Sequence, residues 1–228
     1  GRLILHHDWN IRDGIIEFKK ALEINPNNPE IYAQLSMASA LSGNKEDAIA
    51  YANKAISLDP FSVINLFVAV AGTNAAGDIT RSLEISDQLI ELAPNFYGGY
   101  WVAGLNYMRL ERYEEGLKVY ETAISFGDEP NVLATVGMTY GFMGEKTKAM
   151  EILERIKNIE GIELYGTSFI GDVYLGLGDW DTAFAYYNKA LENKEGFMLF
   201  KSLIFNGIPG LMEDPRAIEI IEKMGVIY

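Results

Sequence analysis

The sequence has no cysteine, only two histidines and a deficit of basic residues. The lack of cysteine excludes disulfides, thiolate nucleophiles and cysteine ligands for a metal, and it leaves the cellular compartment undecided. Lys and Arg number 19 against 32 Asp and Glu, which gives a formal net charge of −13. Because phosphates repel such a chain and no basic stripe is present, we expect binding neither to nucleic acid nor to anionic membranes.

Long apolar runs are also missing. The longest candidate, residues 63–72, is shorter than the roughly 18 residues that a membrane-crossing helix needs, and it is typical of a buried helix segment. No secretory signal is visible, because residues 2–5 are followed at once by His6, His7 and Asp8. We therefore expect no membrane span and a cytoplasmic location, with the periplasm left open.

Few residues suit catalysis or metal binding. Adjacent His6 and His7 point about 100° apart on a helix, so they do not readily share a metal ion. Residues 176–178 contain two glycines but lack the lysine and the strand-to-helix context of a phosphate-binding loop. Acids such as Asp179 and Asp181 lie at predicted turns and helix starts, where carboxylates favour the helix dipole. We expect no metal, no cofactor and no enzyme activity in this chain.

Residues 171–190 carry the pattern around which the chain is organised. Small residues such as Gly171 and Ala183 alternate with the large Tyr174 and Tyr187. Related patterns recur with a period of about 34 residues, the length of a helix–turn–helix repeat. The predicted repeats are an incomplete one over residues 1–28 and complete ones over residues 29–62, 63–96, 97–129, 130–163 and 164–197.

The pattern has a physical cause in helix packing. Small residues let two antiparallel helices approach closely, and the aromatic residues fill the gaps between one pair and the next. Neither helix of a pair buries its apolar face alone, so the repeats must stack. The sequence thus predicts a single domain of all-α class, a right-handed α-α superhelix of about six helix pairs.

These residues resemble the tetratricopeptide repeat. Gly171 and Tyr174 match its first-helix motif, Ala183 and Tyr187 match its second, and Pro60 matches its closing proline. Further matches in phase are Pro26, Tyr32, Leu35, Ala48, Ala52, Ala55, Pro94, Gly104, Tyr107, Gly116, Tyr120, Ala123, Gly137, Tyr140, Ala149 and Leu153. The resemblance implies a solenoid whose first helices line a concave surface, and it implies that this surface binds a peptide or a partner protein.

Residues 198–228 depart from the repeat. Residues 199–206 are predicted to fill the position of a further first helix, and residues 207–210 end it. Asp214 and Pro215 then start a short helix, with Asp214 as its N-cap. We expect this segment to form a divergent helical cap that covers the apolar end of the stack.

The end of the chain carries a second, narrower resemblance. Residues 175–179 and 211–216 are similar to the carboxy-terminal repeat regions of some bacterial multidomain signalling proteins, although this chain has Ala217 where their pattern has an aromatic residue. Those proteins carry an amino-terminal adenylate cyclase, protein kinase or winged-helix DNA-binding domain. The resemblance implies that these 228 residues are a piece of a longer regulatory protein.

The repeat phase places one set of side chains on the concave surface. Many of them are Met or aromatic, and such side chains offer a large and adaptable contact area. A second interpretation is that Phe67, Trp101 and Phe142 only fill contacts between first helices. The predicted partner-binding groove consists of Met37, Ile64, Phe67, Asn74, Trp101, Leu105, Met108, Arg109, Met138, Phe142, Tyr165 and Asp172.

Two charged residues stand out in this predicted groove. Arg109 is its central cation and is expected to pair with an acidic group of a partner. Asp172 has no acidic counterpart at the matching positions Met37, Leu105 and Met138, so packing does not explain it. Asp172 is therefore a candidate ligand contact.

These observations leave three classes of function. The first is a binding module for a peptide or protein, with Phe67, Trp101, Met108 and Phe142 as anchors. The second is a sensory or regulatory domain attached to a signalling enzyme or a transcription regulator. The third, an enzyme in its own right, is not favoured because no catalytic arrangement is present.

The incomplete first repeat generates a prediction. Its missing helix leaves an apolar helix face uncovered, so we expect the isolated chain to self-associate through its amino-terminal end. Light scattering over a concentration series measures this association. A monomeric mass at the highest concentration contradicts it.

Overall fold

The computed structural model describes residues 10–205 and 207–226. Within them the secondary structure is helical throughout, with no strand and with two short 3₁₀ helices, Gly196–Phe200 and Leu211–Glu213. The α-helices are α1 (Ile11–Ile24), α2 (Pro29–Leu41), α3 (Lys45–Leu58), α4 (Val63–Ala76), α5 (Ile79–Leu92), α6 (Tyr97–Arg109), α7 (Tyr113–Ile124), α8 (Pro130–Phe142), α9 (Lys146–Lys157), α10 (Ile162–Tyr165), α11 (Thr167–Gly176), α12 (Trp180–Glu192), α13 (Lys201–Phe205) and α14 (Pro215–Lys223).

The helices form the stacked pairs that the period predicts. Helices α2, α4, α6, α8 and α11 are the first helices, and α3, α5, α7, α9 and α12 pack beside them as the second helices. The predicted repeat starts at 29, 63, 97 and 130 coincide with the helix starts at Pro29, Val63, Tyr97 and Pro130. The all-α solenoid predicted from the sequence is confirmed. Residues 1–9, which include the predicted remnant of the incomplete first repeat's first helix at residues 2–7, lie outside the described residues.

The sixth repeat begins later than its predicted start at 164. Its first helix, α11, starts at Thr167 and is preceded by the four-residue helix α10. Gly161 before α10 has φ +75°, a left-handed conformation that L side chains rarely adopt. A Cβ on Gly166 would lie 2.3 Å from Ile162 Cδ1, so a larger residue at the turn between α10 and α11 would have to displace the Ile162 side chain.

The turns inside the repeats have a common local cause. Gly43, Gly77 and Gly178 each take a left-handed φ between +76° and +85°, which ends the first helix of the pair. The residue after each is Asn or Asp, and its side chain accepts a hydrogen bond from a backbone N–H one turn into the second helix. The chain reversal is therefore encoded by two adjacent residues in each of these repeats.

Small and large residues meet within two of the helix pairs, where the aromatic ring lies inside the pair rather than between one pair and the next. A Cβ on Gly104 would lie 2.2 Å from the ring of Tyr120, and one on Gly171 would lie 2.8 Å from the ring of Tyr187. Both tyrosines are fully buried. Each glycine thus makes room for the tyrosine of the second helix, and the two pairs are equivalent positions of the fourth and sixth repeats.

The approach of α8 to α11 is closer still. A Cβ on Gly141 would lie 2.4 Å from the carbonyl carbon of Gly176, and one on Gly176 would lie 2.3 Å from the carbonyl oxygen of Met138. Backbone therefore meets backbone at this crossing. Glycine is required here for space between the fifth and sixth repeats.

The carboxy-terminal segment does not take the predicted position. Residues 193–214, which we call the strap, do not extend the stack with a seventh first helix. Their helix α13 instead reaches α4, four repeat units back along the chain, while α14 packs on α12 and covers that end of the solenoid. Over residues 199–205 the prediction is wrong because the half-buried rings of Phe197 and Phe200 pack on Trp101 of α6, and residue 206 lies outside the described residues.

Helix α14 follows its sequence signal. It begins at Pro215, and Asp214 accepts a hydrogen bond from the backbone N–H of Arg216 at 2.8 Å, so the predicted N-cap is confirmed. The Arg216 guanidinium also bonds Asp181 at 2.6 Å and lies 4.4 Å from the ring centroid of Phe184.

Within the described residues, no helix has the length and apolar character to cross a bilayer.

The crossing of α8 and α11 gives a stability prediction. Replacing Gly141 by Ala forces a Cβ into backbone, so we expect the free energy of unfolding to fall by about 1–3 kcal/mol. The matched control is Gly116→Ala in α7, where the new Cβ meets its nearest neighbour at 3.5 Å. That change should be neutral or stabilise by up to about 1 kcal/mol through helix propensity. Urea unfolding followed by circular dichroism measures both changes. Equal effects of the two substitutions would contradict the close backbone contact between α8 and α11.

Candidate functional site

The side of the solenoid lined by the first helices contains the predicted groove, but most of its residues are buried there. Ile64 is 58% exposed and Tyr165 is 47% exposed. Phe67, Arg109 and Phe142 are half-buried. The fully buried members of the predicted set are Met37, Asn74, Trp101, Leu105, Met108, Met138 and Asp172.

Trp101 is covered by the strap. Its ring centroid lies 6.4 Å from that of Phe197 and 6.0 Å from that of Phe200, and Phe197 also contacts Phe169 of α11 at 5.1 Å. The edge-to-face angles of these pairs are those that aromatic rings prefer. Trp101 is therefore 2% exposed, and its predicted role as an accessible anchor does not hold while the strap is in place.

The predicted set also includes residues that fill contacts between helices. Phe67 lies 6.4 Å from Trp101 by ring centroids, across the α4–α6 contact. Phe142 lies 6.2 Å from Tyr113 of the neighbouring second helix. For these two residues the packing interpretation describes the contacts that the structure gives them.

Asp172 has an internal partner. Its Oδ2 lies 2.5 Å from Nζ of Lys201 in the strap, and its Oδ1 accepts a hydrogen bond of 2.8 Å from the hydroxyl of Tyr187. The Lys201 ammonium also lies 5.2 Å from the ring centroid of Phe169 and 5.7 Å from that of Tyr187. Both charged side chains are at most 2% exposed. The acid that packing among the repeats left unexplained is thus explained by the strap.

The electrostatics of this ion pair are those of a buried charge. Burial raises the pKa of Asp172, while the charge and hydrogen bond of Lys201 act in the opposite direction. Burial and the neighbouring Asp172 carboxylate raise the pKa of Tyr187 well above its usual value, so the phenol stays protonated and donates. The Asp172 charge is therefore tolerated in this site because Lys201 accompanies it.

A second strap residue holds the start of α11. Glu195 is 3% exposed, and its carboxylate accepts hydrogen bonds from the backbone N–H groups of Thr167 at 2.9 Å and Ser168 at 3.1 Å. Gly166, which precedes α11, has no side chain with which to cap the helix. A carboxylate from 28 residues further along the chain replaces the usual local cap and also favours the helix dipole.

Arg109 contacts the end of α4. Its guanidinium donates a hydrogen bond to the backbone carbonyl of Asn74 near the end of α4. The Asn74 side chain in turn donates to Asn106 at 2.6 Å, and Asn106 donates to Ser82 at 2.8 Å. The strap passes directly over this arginine, since a Cβ on Gly207 would lie 2.7 Å from Arg109 Cγ. Within this chain Arg109 thus bonds a helix-end carbonyl, and its pairing with an acidic group of a partner stays a prediction.

Beyond the strap, α4 leaves an apolar surface exposed. Phe61 in the loop before α4 is 78% exposed, and Ile64 in its first turn is 58% exposed. Phe67 follows one turn later and is half-buried, with its ring 5.4 Å from that of Phe96. We call Phe61, Ile64 and Phe67 the open patch. It adjoins the covered part of the concave face through the contact between Phe67 and Trp101.

Sequence reasoning missed Glu195 and Lys201, which decide the site. One signal was available: Lys201 interrupts the apolar run of residues 197–205 and lies next to Phe200. A lysine within such a run is seldom buried without an acidic partner. The unexplained Asp172 was the matching half of that pair.

Metal binding finds no support in the described part of the chain. In residues 10–205 and 207–226, no group of three or more His, Asp or Glu side chains is placed to hold an ion. His6 and His7 lie outside the described residues.

Comparison with known proteins agrees with this geometry. A family model described as tetratricopeptide repeat matches residues 17–50, and another of the same description matches residues 97–126 and 169–196. Three segments of the chain are therefore similar to the tetratricopeptide repeat. The latter two matches contain the Gly104–Tyr120 and Gly171–Tyr187 contacts, so the close approach of the two helices falls within the matched motif.

Relatives and solved structures show the same fold. Interferon-induced protein with tetratricopeptide repeats 2 of Mus musculus is 23% identical over 186 residues, and the match covers 81% of this chain and 37% of that protein. A thermophilic TPR protein of Thermus thermophilus superposes with a TM-score of 0.58 at 23% identity, covering 77% of this chain and 98% of that one. A chain of the Cut9–Hcn1 hetero-tetramer of the APC/C superposes with a TM-score of 0.61 at 12% identity, covering 96% and 47%. This chain spans little more than a third of the curated relative that it matches.

The buried ion pair generates a prediction with a defined pH dependence. Lys201→Met leaves the Asp172 carboxylate buried without its cation, so we expect a loss of about 3–5 kcal/mol in the free energy of unfolding at neutral pH. Removing Lys201 also removes the influence that lowers the pKa of Asp172, so that pKa rises further. A carboxyl with a raised folded-state pKa binds its proton more tightly in the folded state, so stability increases as pH falls through that pKa.

The loss caused by Lys201→Met should therefore shrink on acidification, and Asp172→Asn in the same chain should restore most of the stability. The surface control is Lys148→Met, because the Lys148–Glu145 pair has side chains about half exposed. It should cost less than about 1 kcal/mol at every pH. Urea unfolding at several pH values measures these differences. A loss of unfolding free energy for Lys201→Met that does not change with pH would contradict the buried Asp172–Lys201 ion pair.

Proposed function

We propose that this chain is a non-catalytic protein-interaction module that binds a peptide or a segment of a partner protein on its concave side. Tetratricopeptide-repeat solenoids serve as scaffolds for protein and peptide binding, and this supports the general role. The site of binding is the more specific part of the proposal. It is the open patch, where predicted groove residues on α4 remain accessible.

The observation that carries the proposal is the exposure of neighbouring large apolar side chains beside a covered groove. Ile64, one turn before the half-buried Phe67, and Phe61 in the preceding loop are each more than half exposed. A group of exposed apolar side chains marks an interaction site more often than scattered single residues do. The formal net charge of −13 favours a basic segment as partner. The expected ligand is therefore a polypeptide segment with apolar anchors and positive charge.

The alternative is a sensory or regulatory domain of a multidomain signalling enzyme or transcription regulator. It is supported by the resemblance at residues 211–216, among which Asp214 caps α14 and Arg216 bonds Asp181 of α12. Those contacts give residues 211–216 a structural role, and they do not identify an effector domain. The natural reading frame that encodes this chain tests the alternative, because the absence of an effector domain from that frame removes it.

The open patch generates a binding prediction. Panning phage-displayed random peptides against the chain should enrich sequences that carry apolar and basic residues. A synthetic copy of an enriched peptide should bind the Phe61→Ser/Ile64→Ser variant about tenfold or more weakly than the parent chain, because its anchors lose their contacts. Fluorescence anisotropy with the labelled peptide measures both affinities.

The matched control carries Leu164→Ser and Ile218→Ser, since these side chains are 73% and 40% exposed outside the patch. Its affinity should equal that of the parent chain. Panning that enriches no peptide, or enriched peptides that bind both variants equally, would overturn the assignment of the patch.

A further inference from the structure

A groove opens on the side of the solenoid where the second helices lie, between α7 and α9 and over α8. Its volume is about 260 Å³. Sites for drug-sized ligands occupy about 300–1,000 Å³, so this groove fits a smaller molecule. We call it the outer groove. Its walls are mostly apolar, being formed by Leu117 and Ile124 of α7, Val136 and Tyr140 of α8, and Ile152 of α9.

In the sixth repeat the equivalent position holds a stacked pair of aromatic rings. Tyr174 of α11 matches Tyr140 in the repeat pattern. Tyr186 stands as far from the start of α12 as Ile152 stands from the start of α9. The rings of Tyr174 and Tyr186 stack with their centroids 5.8 Å apart and their planes at 9°. Because Ile152 replaces the second ring in the fifth repeat, Tyr140 has no ring stacked on it among the described residues.

Lys157 supports this comparison between the two repeats. It is the last residue of α9 and takes the position that Ile124 has in α7. Its pKa is raised mainly by its hydrogen bond to Glu154 and further by the neighbouring Tyr174 and Tyr186. The stacked rings therefore lie beside the preceding second helix, in the position that corresponds to the outer groove.

The charged residues of the outer groove differ in how they are paired. The Arg155 guanidinium bonds Asp128 at 2.5 Å. Glu121 of α7 also lines the groove, and among the described residues its carboxylate has no ion-pair partner. Lys148 lies 5.4 Å from the ring centroid of Tyr140, but it does not line the groove. The charge available to a ligand is therefore negative, and the formal net charge of −13 acts in the same direction.

From these features we propose that the outer groove binds a small aromatic amine. The ring of the ligand stacks on Tyr140 as the Tyr186 ring stacks on Tyr174, and the apolar walls shield it from water. The ammonium group of the ligand pairs with Glu121. The outer groove shares no residue with the open patch, so failure of either proposal leaves the other intact.

Tyramine is the probe, because it joins the phenol ring of tyrosine to an ammonium group. Its addition to the isotope-labelled chain should shift the amide NMR signals of residues 117–124, 136–140 and 152–155. For so small a ligand we expect a dissociation constant on the order of 0.1–1 mM. The matched anion para-hydroxyphenylacetate should bind about tenfold more weakly, because Glu121 repels its carboxylate.

Two substitutions test the two parts of the site. Ile152→Tyr introduces the ring that the sixth repeat has, so it should fill the outer groove and weaken tyramine binding about tenfold or more. Glu121→Gln changes an exposed side chain and should weaken tyramine binding about threefold, while the neutral ring compound para-cresol binds as before. The matched control is Glu154→Gln, at the equivalent position of α9, which should leave the affinity for tyramine unchanged.

Absence of shifts in these residues at about 10 mM tyramine, well above the expected dissociation constant, overturns the proposal. Equal affinities for tyramine and para-hydroxyphenylacetate overturn it as well. Tyramine should bind the Phe61→Ser/Ile64→Ser variant as it binds the parent chain, and a loss there would place the ligand on the open patch instead. The Glu121→Gln comparison does not depend on how well Ile152→Tyr folds. An unchanged affinity in both of these variants would also overturn the assignment of the outer groove.

Discussion

Asp172 joins the repeats to the strap, because it accepts a hydrogen bond from Tyr187 of α12 and pairs with Lys201 of the strap. The Tyr187 ring occupies the space that Gly171 leaves between α11 and α12, so the ring belongs to the packing of the repeat. The carboxylate that receives its hydroxyl also holds Lys201, so the same contact fixes where the strap crosses. A buried carboxylate that lacks a cation destabilises the fold, and this requirement ties the strap to the sixth repeat.

The concave face is consequently divided into two parts with different properties. The part formed by α6 and α11 is closed by aromatic rings and a buried ion pair. The part formed by the start of α4 stays open and apolar. A solenoid of this kind usually offers one continuous binding surface. Here the accessible surface is narrower than the repeat count implies, because the strap covers part of it.

The helix boundaries were predictable because their causes are local. Asn44, Asp78 and Asp179 cap helices through backbone groups a few residues away, and a glycine with a left-handed φ precedes each of them. The start of the sixth repeat was placed too early because its cap comes from Glu195, at a distance of 28 residues in sequence. No local sequence pattern predicts a helix cap that comes from another part of the chain.

The predicted groove shows the same limit. Repeat phase placed Trp101 and Asp172 on the inner side of their helices, and the structure finds both there, facing the strap. Phase alone does not tell whether a side chain on an inner face is accessible. That depends on what else in the chain covers the face, and residues 193–214 carry too little repeat pattern to predict their course.

The sequence by itself determined the helix-pair period, the turns inside the repeats and the caps at Asp179 and Asp214. These features follow from contacts among residues less than one repeat apart, where chain connectivity leaves few alternatives. Only the tertiary structure decided which part of the concave face is accessible. The strap residues that contact Asp172, Trp101 and Thr167 come from 28 or more residues away, and such contacts are selected by burial and charge pairing in the folded chain rather than by any local pattern.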